Sequence, residues 1–211
     1  MNEMLFEQSI IRRCQQSLLG YLFLFITPLS ILPGIPFDAD NPVGWWHSVS
    51  ESYYSNTGIV MISAFIIIGL IGISFRGRNI AEKIFMFLMG ISSIGIVMFP
   101  HAYRILERTG FFFVNGEKSI FIHFVFAGIF FFCVSILCFL FAIIPEETSK
   151  KHQRNVLFLS SWIICTIASS IILLSKIVFF PPWTTLFMEF IMFSLFGTCL
   201  LVVSGKIPFL K

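Results

Sequence analysis

The stretch from Ser119 to Ile144 contains no Asp, Glu, Lys or Arg, and its apolar residues fall on every face of a helix instead of along one stripe. An unbroken run of that kind has no place in the interior of a small soluble domain, but it matches the ~20 apolar residues that carry a helix across a ~30 Å hydrocarbon layer. Five further runs resemble it: Ser17–Pro33, Gly58–Phe75, Ile84–Phe99, Val156–Phe179 and Thr185–Val203. None shows the in–out alternation of a barrel strand, and a backbone in lipid must satisfy its own polar groups, so the expected spans are helical. The sequence predicts an all-α polytopic membrane protein: a bundle of six transmembrane helices forming a single domain, 1–211.

Composition agrees. Of 211 residues, 57% are hydrophobic and 12% charged, with 28 Phe and a mean hydropathy of +0.91. A soluble domain carries about 25% charged residues; this chain lacks the polar residues to cover such a surface. Soluble enzymes, nucleic-acid binders and disordered chains are excluded. The net charge of +3 is spread along the chain and has no nucleic-acid footprint.

Placement of the cations sets an expected orientation. Ten fall on one set of connections (Arg12, Arg13, Arg76, Arg78, Lys83, Lys150, Lys151, Arg154, Lys206, Lys211) and four on the other (Arg104, Arg108, Lys118, Lys176). With short loops this bias places both termini in the cytoplasm, with 34–57, 100–118 and 180–184 outside. Glu3 and Glu7 precede the first run and no small-x-small site follows it, which reads as a retained span rather than a cleaved signal. The chain has no Asn-x-Ser/Thr sequon, in keeping with a bacterial inner (plasma) membrane.

The five cysteines (Cys14, Cys133, Cys138, Cys165, Cys199) lie in or beside apolar runs and are expected to stay reduced. Cys14, beside Arg12 and Arg13, is a palmitoylation candidate, an unmodified thiol being the simpler state. Small residues recur at helical spacing, as in Gly69/Gly72, Gly90/Ser93, Ser161/Cys165/Ser169 and Ser194/Thr198, where helices can approach closely. Pro28 is expected to bend the first helix.

Polarity concentrates on the expected outer side. The loop from Phe37 to Tyr54 carries Trp45, Trp46, His47, Glu51, Ser52, Tyr53 and Tyr54, a composition that suits either an interfacial aromatic belt or a cap over a site. His123 and Glu189 are ionisable residues inside apolar runs, each roughly 6–9 Å below the outer end of its helix. A lone carboxylate in hydrocarbon costs several kcal/mol, so Glu189 is expected to be protonated, paired or in a wet pocket. Two readings stand. These groups snorkel or form a structural hydrogen-bond network, or His123 and Glu189 share a ligand-binding or catalytic pocket. In the second case Ser50, Glu51, Ser52 and Tyr54 cap it, His101 reaches it from the end of helix three, and Trp46 stands over it.

Catalytic templates are missing: there is no His-Glu-x-x-His, Gly-x-Ser-x-Gly, Walker lysine or glycine-rich phosphate loop, and nothing calls for a cofactor. The four histidines include no His-x-x-x-His pair and call for no metal; a mixed site of His47, His101 or His123 with carboxylates is the remaining geometric option.

Three segments carry a resemblance. Ser48-Val49-Ser50-Glu51-Ser52-Tyr53-Tyr54 before helix two, Phe99-Pro100 ending helix three and His123-Phe124-Val125-Phe126-Ala127 opening helix four resemble a group of small bacterial six-helix membrane proteins of unknown function. The likeness spans roughly residues 18–206. The chain departs from that pattern at Asn56-Thr57-Gly58, where an Arg-Asp pair is expected, and at Phe75-Arg76-Gly77-Arg78, which lacks a Tyr/Asp motif. A more distant likeness is to the CREST membrane hydrolases, which include the alkaline ceramidases and hold Ser, Asp and His around zinc within seven helices. The paired histidine of their last helix is missing here. That resemblance implies Ser52, His123 and Glu189 as the catalytic candidates.

The reading is therefore an integral membrane protein with an aromatic-capped outer-leaflet pocket for a lipid or small apolar ligand, formed by His123, Glu189, Glu51, Ser52, Tyr54, His101 and Trp46. The alternatives are a membrane hydrolase acting on a lipid, and an oligomerising, channel-like or membrane-perturbing effector that presents the Ser161/Cys165/Ser169 stripe to a second copy.

Overall fold

The structure is a computed structural model that describes residues 2–31, 48–54, 58–101, 108–143, 151–175, 178, 180, 181 and 183–207. It is helical almost throughout. The helices are α1 (Asn2–Ile31), α2 (Gly58–Ile73), α3 (Ile80–Met98), α4 (Gly116–Ile143), α5 (Lys151–Leu174) and α6 (Thr184–Val203). A 3-10 helix, Val49–Tyr54, precedes α2, and a two-residue hairpin, β1 (Arg108–Thr109) with β2 (Val114–Asn115), joins α3 to α4. Four helical segments are long and apolar enough to cross a membrane: Ile80–Met98, Gly116–Ile143, His152–Leu174 and Thr184–Val203; Gly58–Ile73 is a shorter apolar helix. The chain reads as a helical membrane protein.

Each helix packs against its neighbours in sequence and α6 returns to α1, so the six close into a ring. The interior is aromatic. Phe23 of α1, Phe65 of α2, Phe130 of α4 and Phe193 and Phe196 of α6 are buried, with neighbouring ring centroids 4.9–6.2 Å apart and mostly tilted or edge-on. Those are the spacings and angles at which ring quadrupoles attract. Where α2 crosses α3, glycine is required: a Cβ on Gly90 would stand 2.7 Å from the Gly69 carbonyl oxygen and 2.8 Å from the Ile73 nitrogen. Backbone contact of that kind explains the small-residue pattern of these helices.

The segment before the second helix, Val49–Tyr54, forms a separate 3-10 helix folded onto the ring. Two expected boundaries move. The first helix extends back to Asn2, ahead of its expected start at Ser17, and α5 begins at Lys151 rather than at Val156. The cause is that polar residues such as Gln15, Gln16 and Arg154 find helical positions facing other helices, whereas a hydropathy window reads them as loop. Gln15 bonds to Ser74 and accepts the Arg76 amide, Gln16 is buried, and the Arg154 guanidinium lies 5.7 Å from the Phe158 ring. The Ser161/Cys165/Ser169 stripe faces inward: Ser161 and Cys165 are fully buried and Ser169 meets Met192 of α6. It is spent inside the protomer, because small side chains are what allow α5 to approach α6.

The ends of the ring differ. At one, Asn79 caps α3 by accepting the Glu82 amide, and buried Glu82 accepts both the backbone amide and Nε of Arg78. The other end holds the 3-10 helix and the candidate site. All five cysteines are free thiols, and only Cys14 is exposed.

Candidate functional site

The site is built on the two ends that α3 and α4 bring together. A helix leaves its last carbonyls without intrahelical partners, and Pro100 prevents α3 from continuing. Two side chains from the first turns of α4 meet those carbonyls: His123 Nδ1 lies 2.8 Å from the Phe99 oxygen, and Ser119 Oγ donates to the Pro100 oxygen at 2.9 Å. The Phe-Pro and His-x-x-x-Ala segments are thus two halves of one junction.

That junction fixes the imidazole. A carbonyl only accepts, so Nδ1 carries the proton, and Nε2 of the neutral ring presents a lone pair. Ser50 Oγ lies 3.1 Å from Nε2, within hydrogen-bond reach, and is the donor to a neutral ring. His123 is only 3% exposed. The hydroxyl at His123 is therefore Ser50's and not Ser52's. With three residues per 3-10 turn, Ser52 folds back to its own segment, where it is buried and donates to the Val49 carbonyl at 2.7 Å.

Glu189, 6% exposed and in the second turn of α6, accepts the Val49 amide at 2.7 Å. The carboxylate acts as the acceptor for the first N–H of the 3-10 helix, the position a capping side chain ordinarily fills. So the 3-10 helix is held at consecutive residues by two different helices, through Val49 to α6 and through Ser50 to α4.

Beneath these bonds lies a cavity of about 150 Å³. Its lining joins six polar residues, Ser48, Ser50, His101, His123, Thr185 and Glu189, to an apolar set that includes Phe65, Phe131 and Phe193 of the aromatic interior. Among the described residues no Lys or Arg lines it. His101 stands edge-on to His123 with ring centroids 6.0 Å apart, and 5.4 Å from the Phe124 ring. Among the described residues no three His, Cys, Asp or Glu side chains form a group able to hold a metal.

The structure thus brings His123, Glu189 and His101 around one cavity. Ser52 sits one shell back. Glu51 and Tyr54 belong to the 3-10 helix, but their side chains, and Trp45, Trp46 and His47 altogether, lie outside the described residues. Sequence reasoning missed the Val49 amide and the Phe99 carbonyl, because backbone groups carry no sequence signal. It also gave Ser50 only a capping role, since nothing in the letters distinguishes Ser50 from Ser52 until the 3-10 period is known. Compared with family models, with curated proteins and with solved structures, the chain shows no match in any of the three.

Proposed function

We propose that this is a six-span protein of a bacterial plasma membrane, with both termini cytoplasmic and the 3-10 end facing out, whose cavity binds a lipid or small apolar ligand in the outer leaflet. The observation that carries this reading is the cavity's mixed lining, six polar residues together with Phe65, Phe131, Phe193 and other apolar side chains. Binding pockets characteristically combine apolar walls with a few convergent polar groups. The ligand's polar end meets His123, Ser50 and Glu189 while its apolar part meets Phe65, Phe131 and Phe193. The test is lipid analysis by native mass spectrometry of the full chain purified in mild detergent. A co-purifying lipid or apolar molecule retained by the wild type, and lost on Phe193→Trp, which fills the cavity, supports the reading. Identical lipid content in both proteins overturns it. Cysteine accessibility from either side of sealed vesicles tests the orientation.

A second reading, a membrane hydrolase, draws on one observation: Ser50, His123 and the Phe99 carbonyl stand in line as hydroxyl, base and orienting acceptor, at 3.1 and 2.8 Å. Nucleophile–base pairs have this reach. Two features weigh against it. A carbonyl orients the ring but carries no full negative charge to stabilise an imidazolium, as the triad carboxylate does. The amide of Val49, next to Ser50 in the chain, is already taken by Glu189. Labelling by a fluorophosphonate that is abolished in Ser50→Ala and kept in Ser52→Ala would establish the hydrolase; absence of Ser50 labelling removes it.

A further inference from the structure

The turn of the hairpin between α3 and α4 carries three consecutive phenylalanines, Phe111, Phe112 and Phe113, exposed at 73%, 54% and 72%. It does not stand away from the ring. The Phe111 amide donates to the Met98 carbonyl at 3.2 Å, and a Cβ on Gly110 would stand 2.7 Å from the same oxygen. The Phe112 ring stacks on Phe99, with centroids 5.3 Å apart, and Phe99 stacks in turn on Phe126 of α4 at 6.1 Å. The tip therefore lies over the seam of α3 and α4, level with the last turn of α3.

That level has a depth. The Phe99 carbonyl meets His123, which is seven residues into α4, or ~10 Å along the helix. Counted from the other side, the 19 residues of α3 span ~28 Å, about the thickness of the hydrocarbon layer. The tip thus stands at the edge of the acyl chains, below the first turn of α4, where Glu117 and Lys118 are exposed. Phe121 and Val125, on the α4 residues that flank His123, are exposed as well. Half-buried Phe99 and Phe126 make the tip continuous with the apolar outer surface of these two helices.

The turn is built for such a place. Gly110 to Asn115 contain no charge. Its backbone is satisfied locally, as lipid requires: besides the Phe111 bond, the Phe113 amide donates to the Gly110 carbonyl at 3.2 Å, and β1 pairs with β2. The tip is also held in an unfavourable shape. Phe113 has a φ of +48°, a left-handed conformation rare for a bulky side chain. Strain of this kind persists only where the surroundings enforce it and clusters at working sites. A ring left in water offsets none of it, whereas a ring transferred among acyl chains does.

We propose that this hairpin is a membrane wedge: Phe111, Phe112 and Phe113 insert among the acyl chains of the leaflet at this end of the ring, so that their partner is lipid and neither water nor a second copy of the chain. The wedge requires α3 and α4 to cross the membrane and is independent of what the cavity binds.

The experiment is site-directed spin labelling of the full chain in phosphatidylcholine vesicles. Nitroxides are attached singly to Phe111→Cys and Phe113→Cys in a Cys14→Ser background, the other four cysteines being buried. Lys118→Cys and Val125→Cys are the references for the headgroup level and for lipid contact. Collision with oxygen, which concentrates in the acyl layer, is compared with collision with nickel-EDDA, which stays in water. The oxygen-to-nickel ratio at 111 and 113 is expected to lie severalfold above that at 118 and close to that at 125. Phe111, whose backbone is not left-handed, decides the case should a label at Phe113 disturb the turn. A ratio no higher than at 118 marks an aqueous turn and overturns the wedge. Labels shielded from both reagents, or broadened by a second nitroxide nearby, mark a protein covering and overturn it too. A ratio at 125 no higher than at 118 removes the membrane-spanning reading of α4, and the wedge with it.

Discussion

Replacing Glu189 by Ala removes the acceptor that holds the start of the 3-10 helix. Val49 is 2% exposed and its amide is 2.7 Å from Glu189 Oε2. Without the carboxylate this buried donor is left unmade, which costs about 1–3 kcal/mol. Read as local opening, that is roughly a 5- to 150-fold rise in the open population. Glu189 has further interactions besides this one, so Glu189→Gln is the informative partner: it keeps an oxygen in place and loses only the charge, and should cost about 0.5–1.5 kcal/mol. Ser50 to His123, at 3.1 Å, is a second tie at this end of the segment. Because both bonds hold one short element, Ser50→Ala should couple to Glu189→Ala and not simply add to it. The assay is hydrogen exchange by mass spectrometry on the full chain in nanodiscs, read on peptides covering 48–54 and, as an internal reference, on α3. Faster exchange at 48–54 with α3 unchanged is expected, graded Ala above Gln above wild type. Unaltered exchange at Val49 in Glu189→Ala, or an equal rise in α3, would refute the claim that Glu189 anchors this segment specifically.

Three other outcomes follow from the geometry. Gly90→Ala places a Cβ 2.7 Å from the Gly69 oxygen and forces α2 from α3; it should lower stability by about 1–3 kcal/mol, seen as a reduced melting temperature, while Gly128→Ala, with nothing in its way, should melt with the wild type. Gly110 has φ of +75° and a Cβ position 2.7 Å from the Met98 oxygen, so Gly110→Ala should cost about 1 kcal/mol or more at the hairpin, visible as faster exchange at 108–115. A bulky maleimide should modify one thiol of the folded protein, Cys14, and all five only after denaturation; native labelling of Cys165 would contradict the inward-facing α5 stripe.

Much of the architecture was legible because lipid leaves few choices. A run such as Ser119–Ile144 with apolar residues on all sides can only be a helix in an apolar setting, and α4 spans Gly116–Ile143. The crossings at Gly69, Gly72 and Gly90 were legible because only glycine permits backbone contact. His123 and Glu189 drew attention because charge within hydrocarbon is expensive. The 3-10 helix was not legible: six residues of mixed polarity have no period long enough to read, and their conformation depends on bonds to α4 and α6.

The sequence by itself determined class and material: helices long and apolar enough for a membrane, a scarcity of charge, and His123 and Glu189 set within apolar runs. The tertiary structure alone decided what those residues do. It chose Ser50 over Ser52, gave His123 a carbonyl partner from Phe99, and turned Glu189 into the cap of a segment 140 positions away in the chain. The physical reason is range. Hydropathy and helical periodicity are local and can be summed along the chain, whereas a hydrogen bond is satisfied only by an atom within about 3 Å, and which atom arrives there is settled by how the six helices close on one another.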